Sequence, residues 1–189
     1  MSLEGIALYS LVIFPTDSQI EIVKDLKRRL ERQIGWFHSI NAAAHITVAQ
    51  FAGDHELARC KDAIRRYCRA AIARPVRFNR FSSFGTMTFF IAPDRPSQIY
   101  LDGLIDGLHL ALGIRSKARA HLSIARQLQA DKMLNAFELF RNETINIEFL
   151  CDAFYLRKFD SEKRQYTDII EKIPLEGKPE IDLFSQSFI

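Results

Sequence analysis

The sequence is poor in cysteine, in long apolar runs and in net charge, and each shortage removes a class of protein. Its three cysteines are an odd number, and Cys60 and Cys68 fall two turns apart on one expected helix, too far to bridge. Free thiols in a reducing cytoplasm are therefore expected. No run of eighteen apolar residues occurs, so no membrane span is expected. Glu4 and Ser10 interrupt the first residues, which lack the basic region and long apolar core of an export signal. Basic and acidic residues, 26 against 23, leave a net charge of only +3. No concentrated basic surface of the kind that grips a duplex backbone is present, and duplex DNA is not an expected partner. The charge is uneven, with eight Lys or Arg against three acids in residues 54–80 and six against ten in residues 143–189. Solvated helix faces and attraction between lobes account for this, and a mild pull on phosphate-bearing ligands is the sharper reading. Histidine is scarce too, at five residues, and no partner set of His, Cys and carboxylates at zinc spacing accompanies it, so no metal ligand is assigned.

What the sequence does carry is a short pattern written twice. Ala44-His45-Ile46-Thr47-Val48-Ala49 and Ala120-His121-Leu122-Ser123-Ile124-Ala125 each read small, His, apolar, hydroxyl, apolar, small. With 48% hydrophobic residues and 18 Ser or Thr, apolar-hydroxyl-apolar follows a given His by chance about one time in forty, and two hits among five His come to about half a percent. The other three fail the pattern. His38 precedes Ser39, His55 precedes Glu56, and Leu110-Ala111-Leu112 follows His109, so these read as structural or exposed. Side chains alternate faces along a strand, so each motif histidine shares a face with its hydroxyl. Ile46, Val48, Leu122 and Ile124 then point into a core.

The two motifs sit in repeated surroundings. Ile6 to Phe14 is apolar and β-prone and ends at Pro15, which reads as a buried strand. Ser18 and Glu21 offer a capping box to a helix whose Ile22, Leu26, Leu30 and Ile34 recur every four residues until Gly35. A first His strand over about 42–51 leads through Gly53-Asp54 into a helix striped with Leu57, Cys60, Ile64, Cys68 and Ala71. Strands follow over Val76–Phe84 and Met87–Ala92, around Gly85. In the second half Pro93 and Pro96 open a helix lined by Leu101, Leu104, Ile105, Leu108 and Leu112, with Gly103 and Gly107 allowing close backbone approach. A second His strand over about 119–127, a helix capped by Asp131, and strands at Ile145–Cys151, Ala153–Phe159 and Tyr166–Ile173 complete the pattern. The tail, 174–189, reads as poorly anchored. Two such repeats predict an α+β fold of two pseudo-symmetric lobes, each a mostly antiparallel sheet with flanking helices, around a central cleft in one domain over 1–189.

If the His strands lie side by side, two imidazoles and two hydroxyls surround one point. That set suits a phosphate ester. One neutral His takes a proton from the attacking oxygen while a protonated His gives one to the leaving oxygen, and imidazole has both forms accessible near neutrality. Thr47 and Ser123 can donate to the non-bridging oxygens, where charge develops. The other readings are a metal-dependent hydrolase with His45 and His121 as ligands, a module that binds phosphate or RNA without catalysis, and a pair of satisfied core histidines.

The paired motifs resemble the signature of the two-histidine (2H) phosphoesterases, which include the bacterial RNA 2′,3′-cyclic phosphodiesterases also called 2′-5′ RNA ligases. That signature, His-x-Thr/Ser-x with apolar x, is matched by His45-Ile46-Thr47-Val48 and His121-Leu122-Ser123-Ile124. The resemblance implies a bilobal α+β fold over most of residues 5–173. It implies His45 and His121 as the catalytic pair, Thr47 and Ser123 as phosphate-binding residues, and no metal or other cofactor. The implied substrate is a phosphate ester such as an RNA 3′ end or a cyclic nucleotide, opened at its 2′,3′-cyclic phosphate; separately, a monomer is expected. A 2′-5′ phosphodiesterase or RNA ligase is the alternative activity within the family. The resemblance leans towards His121 as base and His45 as acid. Arg126 resembles an arginine often seen after the family's second motif, but strand parity puts it on the face opposite His121 unless a bulge intervenes. Trp36, Phe84, Phe89, Phe90 and Tyr155 are candidates for stacking on a base, although core packing is the commoner fate of an aromatic in a chain with fifteen Phe.

Overall fold

The structure, a computed structural model, describes residues 6–116 and 119–178. Strand β1 (Leu8–Ile13) is buried almost throughout, Ser10 included, since apolar residues flank that serine on both sides. Helix α1 (Asp17–Ile34) starts earlier than its sequence suggests, because Thr16 and Gln19 form the capping box: Thr16 N–H donates to Gln19 Oε1 at 3.1 Å. Its inner face is Val23, Leu26, Lys27 and Leu30, which leaves Ile22 at 42% exposure. Strand β2 (Ile46–Ala52) carries the first motif. Gly53 caps helix α2 (Asp54–Ala70), and Asp54 accepts a hydrogen bond from Tyr9 Oη. Strands β3 (Arg74–Phe84) and β4 (Thr88–Pro93) form a hairpin around Gly85, whose φ of +54° suits glycine. Helix α3 (Arg95–Leu112) is capped by the Asp94 carboxylate, which accepts from Ser97 N at 2.9 Å. Strand β5 (Leu122–Arg126) carries the second motif. Helix α4 (Ala130–Leu139) takes Gln129 as its cap position, two residues before the expected Asp131. Strands β6 (Ile147–Cys151), β7 (Ala153–Asp160) and β8 (Gln165–Pro174) complete the described chain.

The strands form two antiparallel four-stranded sheets, ordered β2-β1-β7-β8 and β5-β4-β3-β6. The two orders correspond position by position, with a His strand at one edge of each and the strand that opens its own half beside it. The next strand comes from the other half: β3 pairs with β4, and β7 pairs back with β1. Each lobe is thus completed by a strand of the other repeat. Helix α1 packs on α4, and α2 on α3. Gly107 permits the second contact, since a Cβ there would lie 2.5 Å from the Tyr67 hydroxyl, which donates to Leu104 O at 2.8 Å. Gly103 faces open space instead, so the expected close approach holds at only one of the two glycines.

One apolar cluster runs through both lobes, from Leu11 and Ile46 through Val23, Leu30 and Ile64 to Phe78, Phe89 and Ile105. Cys60, Cys68 and Cys151 are free thiols, and burial pushes the Cys68 and Cys151 thiols up to about 12. No helix among the described residues is long and apolar enough to cross a membrane. The start of the tail is tied down, contrary to its sequence reading. Glu176, Gly177 and Lys178 donate backbone N–H groups to Cys68 O, Ala71 O and Arg69 O at 2.7–3.0 Å, meeting the carbonyls that the end of α2 leaves unpaired. Residues 179–189 lie outside the described residues.

Phe89 is fully buried and stacks on Phe81 and Phe140 at 5.8 and 5.7 Å. Phe89→Ala is expected to destabilise the fold by about 3–5 kcal/mol, seen as a lower urea midpoint with an unchanged m value. A loss below about 1 kcal/mol would show that this aromatic cluster does not hold the lobe together.

Candidate active site

His45 and His121 each stand one residue before their strand. Both rings are fixed in the same way: Nδ1 lies 2.7 Å from the carbonyl oxygen two residues back, Ala43 O for His45 and Arg119 O for His121. A carbonyl only accepts, so Nδ1 carries the hydrogen. Nε2 is then the nitrogen left available, an acceptor when the ring is neutral and a donor when it is protonated. Aromatic rings hold the imidazoles from the side, Phe14 at 6.3 Å from His45, and Phe84 and Phe90 at 4.9 and 5.1 Å from His121.

The register explains which side chains join them. Directly opposed residues of an antiparallel pair share a face. Thr47 opposes Val12, which also opposes Tyr155, and Ser123 opposes Phe90. Both His strands then slip by one residue at the same place. Leu11 opposes Ala49 while Val12 opposes Thr47, and Phe89 opposes Ala125 while Phe90 opposes Ser123. The extra residues are Val48 and Ile124, three after each histidine, and both point into the core. Each bulge returns the next polar side chain to the cleft face: Gln50 opposes Ser10, and Arg126 opposes Thr88. The bulge on which the placement of Arg126 depended is present, and it puts Arg126 on the strand face that Ser123 occupies.

The cleft has a volume of about 680 Å³ and is lined by Thr47 and Gln50 from one lobe and by Phe84, Arg119 and His121 from the other, with Glu56, His109 and Ser116. A separate hollow of about 570 Å³ between α2 and β8 holds none of the motif residues, and its Arg65 is already paired with Glu171 at 2.8 Å. The surroundings of both imidazoles favour the neutral ring. Desolvation, then the charge of Arg157, then those of Lys27 and Arg126, push His45 down to about 3. His121 is lowered by desolvation and by Arg126. Arg126 thus acts on both rings. Among the described residues, no three His, Cys, Asp or Glu side chains gather as a metal set.

A family model for the 2′-5′ RNA ligase superfamily matches residues 14–163. The chain belongs to that superfamily. Its members, the two-histidine phosphoesterases, share the two-sheet fold described above. TT0787 of Thermus thermophilus is similar over 92% of this chain and 100% of its own, with a TM-score of 0.64 at 15% identity. Escherichia coli LigT, complexed with NADP+, is similar over 91% and 99% with a TM-score of 0.63 at 11% identity. Kluyveromyces marxianus Usb1 is similar over 92% and 99%, with a TM-score of 0.55 at 15% identity. At such identities the likeness is one of fold. A comparison with curated proteins finds no match.

Three neighbours of the site were missed in the sequence. His109, read there as structural or exposed, is buried, with Nε2 at 2.7 Å from the bulge carbonyl of Val48 and Nδ1 at 3.1 Å from Ser116 O and 3.4 Å from Ser116 Oγ. Lys27 is 2% exposed and donates to Ser39 O and Ala42 O at 2.8 and 2.6 Å, fixing the loop before His45, with burial pushing it down to about 8. Arg157 is 5% exposed; its guanidinium lies over Phe14 and Tyr166 at 5.3 and 5.5 Å, and its Nε has no partner among the described residues. A lysine beside an apolar helix stripe and an arginine inside an apolar strand were the signals, left unread, for two of them. Of the candidate aromatics, Phe84 and Phe90 touch His121 and Tyr155 touches Phe14, whereas Phe89 is core and Trp36 stands apart on the surface.

In the ligand-free protein both imidazoles are expected to titrate below pH 6.5 in NMR, His45 lower than His121, and inorganic phosphate should raise both. Unfolded His45 binds a proton between pH 6.5 and about 3 that the folded ring does not, so this residue's contribution to stability falls as the pH drops through that range. A His45 ring that titrates above His121 would contradict the electrostatics of the cleft.

Proposed function

We propose that this superfamily member hydrolyses 2′,3′-cyclic phosphate at RNA or nucleotide ends without a metal ion. The observation that carries the reading is the matched pair of imidazoles, each tethered through Nδ1 to the carbonyl two residues back so that Nε2 is left available, with Thr47 and His121 lining one cleft and Arg126 on the same face of β5 as Ser123. The neighbours support the substrate class: LigT was solved with 3′-AMP and with phosphate, and Usb1 with uridine monophosphate.

The electrostatics favour the role assignment opposite to the one the resemblance leans towards. His45, beside three cations, stays neutral and is the base, whose Nε2 takes a proton from water as the oxygen attacks phosphorus. His121, less depressed, is the acid, whose Nε2–H passes its proton to the departing ribose oxygen. Thr47, Ser123 and Arg126 donate to the non-bridging oxygens, and the anionic substrate itself raises the proton affinity of both rings. One P–O bond forms and one breaks, leaving a phosphate monoester.

His45→Ala and His121→Ala should each lower turnover of a nucleoside 2′,3′-cyclic phosphate by about a hundredfold to ten-thousandfold. The double variant should lose far less than the product of the two, and Thr47→Ala or Ser123→Ala should cost less than either histidine. Full activity in either histidine variant would sink the mechanism. Plotted against pH, kcat/KM should be bell-shaped and unchanged by chelator, with its low-pH limb lost in His45→Ala and its high-pH limb lost in His121→Ala. The reverse loss would exchange the two roles, and chelator inactivation restored by zinc or manganese would favour the metal reading. A screen that adds RNA ending in cyclic phosphate, ADP-ribose cyclic phosphate and 2′-5′ oligomers tests the 2′-5′ phosphodiesterase and ligase alternatives. Binding without turnover of any of them would leave the silent module.

A further inference from the structure

The loop between α1 and β2 presents its aromatics in alternation. Phe37 is buried at 3% exposure, while Trp36 stands 60% exposed and His38 is exposed beside it, the two rings edge to face at 4.8 Å. Trp36 is the only tryptophan of the chain, and burying its large ring would gain free energy that the fold leaves unused. The loop is not free to hide it. His38 forms a β-bridge to Arg126, whose N–H donates to His38 O at 3.2 Å, and Ser39 Oγ donates to Ile124 O at 3.3 Å.

Two backbone positions beside it are strained. Ser39 on the loop has φ +77° and Gln127, directly after β5, has φ +56°, two of the three non-glycine residues with positive φ among those described. The hollow between Trp36, His38, Gln127, Gln129 and Lys132 measures about 180 Å³, and Lys132 Nζ reaches Trp36 O at 3.4 Å. A flat exposed ring, amide side chains and one ammonium group are the means by which a protein holds a base and its phosphate without reading sequence. The hollow lies at the far end of β5, the strand that follows His121. His38 lies opposite Arg126, three residues beyond Ser123 and thus about 10 Å along the strand, and Trp36 is farther out.

We propose that Trp36, His38 and Lys132 form a stacking subsite for a nucleotide upstream of the reacting 3′ end, so that the preferred substrate is a single-stranded RNA oligomer rather than a mononucleotide. This rests on the phosphodiesterase reading of the cleft. The base stacks on Trp36, Lys132 meets a phosphate of the same strand, and Arg126 joins this subsite to the reacting phosphate.

The test compares a short RNA ending in 2′,3′-cyclic phosphate with a nucleoside 2′,3′-cyclic phosphate. Trp36→Ala should raise KM for the oligomer at least about fivefold, the low end of what one stacked base contributes, leaving its kcat and both constants for the mononucleotide unchanged. Trp36→Phe should recover most of the loss, and Lys132→Gln should raise the oligomer KM and flatten its salt dependence. Equal effects on both substrates, or none, overturn the subsite. Binding is read separately from turnover: RNA ending in 3′-phosphate should quench the Trp36 fluorescence, and 3′-AMP should not. Quenching by RNA without turnover of either substrate would keep the surface and reject the phosphodiesterase reading. Turnover of the oligomer without quenching would do the opposite, and would leave the exposed ring to another partner, such as a protein.

Discussion

An edge strand with a bulge leaves a carbonyl that no neighbouring strand can pair, and both His strands of this protein are edge strands with a bulge three residues after the histidine. A buried orphan carbonyl costs about 1–3 kcal/mol, and each is met from the other lobe. Val48 O accepts from His109 on α3, and Ile124 O accepts from Ser39 on the loop after α1. The same residues that satisfy the backbone therefore set the separation of the two sheets. The loop that bonds Ile124 leads into His45 and is itself fastened by Lys27, and the segment beyond His109 leads into His121. The position of each imidazole depends on how the opposite strand is closed.

The pseudo-symmetry is broken at one place that matters for proton affinity. In the first sheet the row through Gln50 and Ser10 ends on Arg157; in the second, the corresponding row through Arg126 and Thr88 ends on Phe84. One histidine thus has a buried cation among its neighbours and the other an aromatic ring packed at 4.9 Å. Two motifs of nearly the same sequence acquire different proton affinities from residues far away in the chain.

Much of the fold was legible because the apolar periodicities are strong. The strands at Ile147–Cys151, Ala153–Asp160 and Gln165–Pro174 and the hairpin around Gly85 fall close to where alternation and turn chemistry put them. Capping residues were misplaced at Ser18 and Asp131, since several side chains near a helix start can cap it and tertiary packing chooses among them. Strand exchange was legible only at the hairpin that ties β3 to β4, for nothing local says that β7 pairs back with β1. The motif residues were visible as a repeated spacing. Arg126 was visible but put on the wrong face, because parity arguments fail at a bulge that only cross-strand register reveals. His109 and Lys27 act through carbonyls far away in sequence, and a contact of that kind leaves no spacing to read.

The exchanged strands also set a schedule for making the protein. β1 is flanked by β2 and β7, and Tyr9 finds its partner Lys158 only 149 residues later. At a synthesis rate of about 5–20 residues per second, that delay is about 7–30 s. Throughout it β1 carries a row of unpaired backbone groups, the kind of edge that recruits strands from other chains. In the other sheet β4 finds β3 across the short turn at Gly85, and the wait falls on the outer edge of β3. The ribosome therefore delivers a lobe whose strand β3 waits 77 residues for β6, from Arg74 to Cys151, and a lobe whose β1 stays open for about twice as long. The nascent chain is most exposed to misassembly at its own beginning.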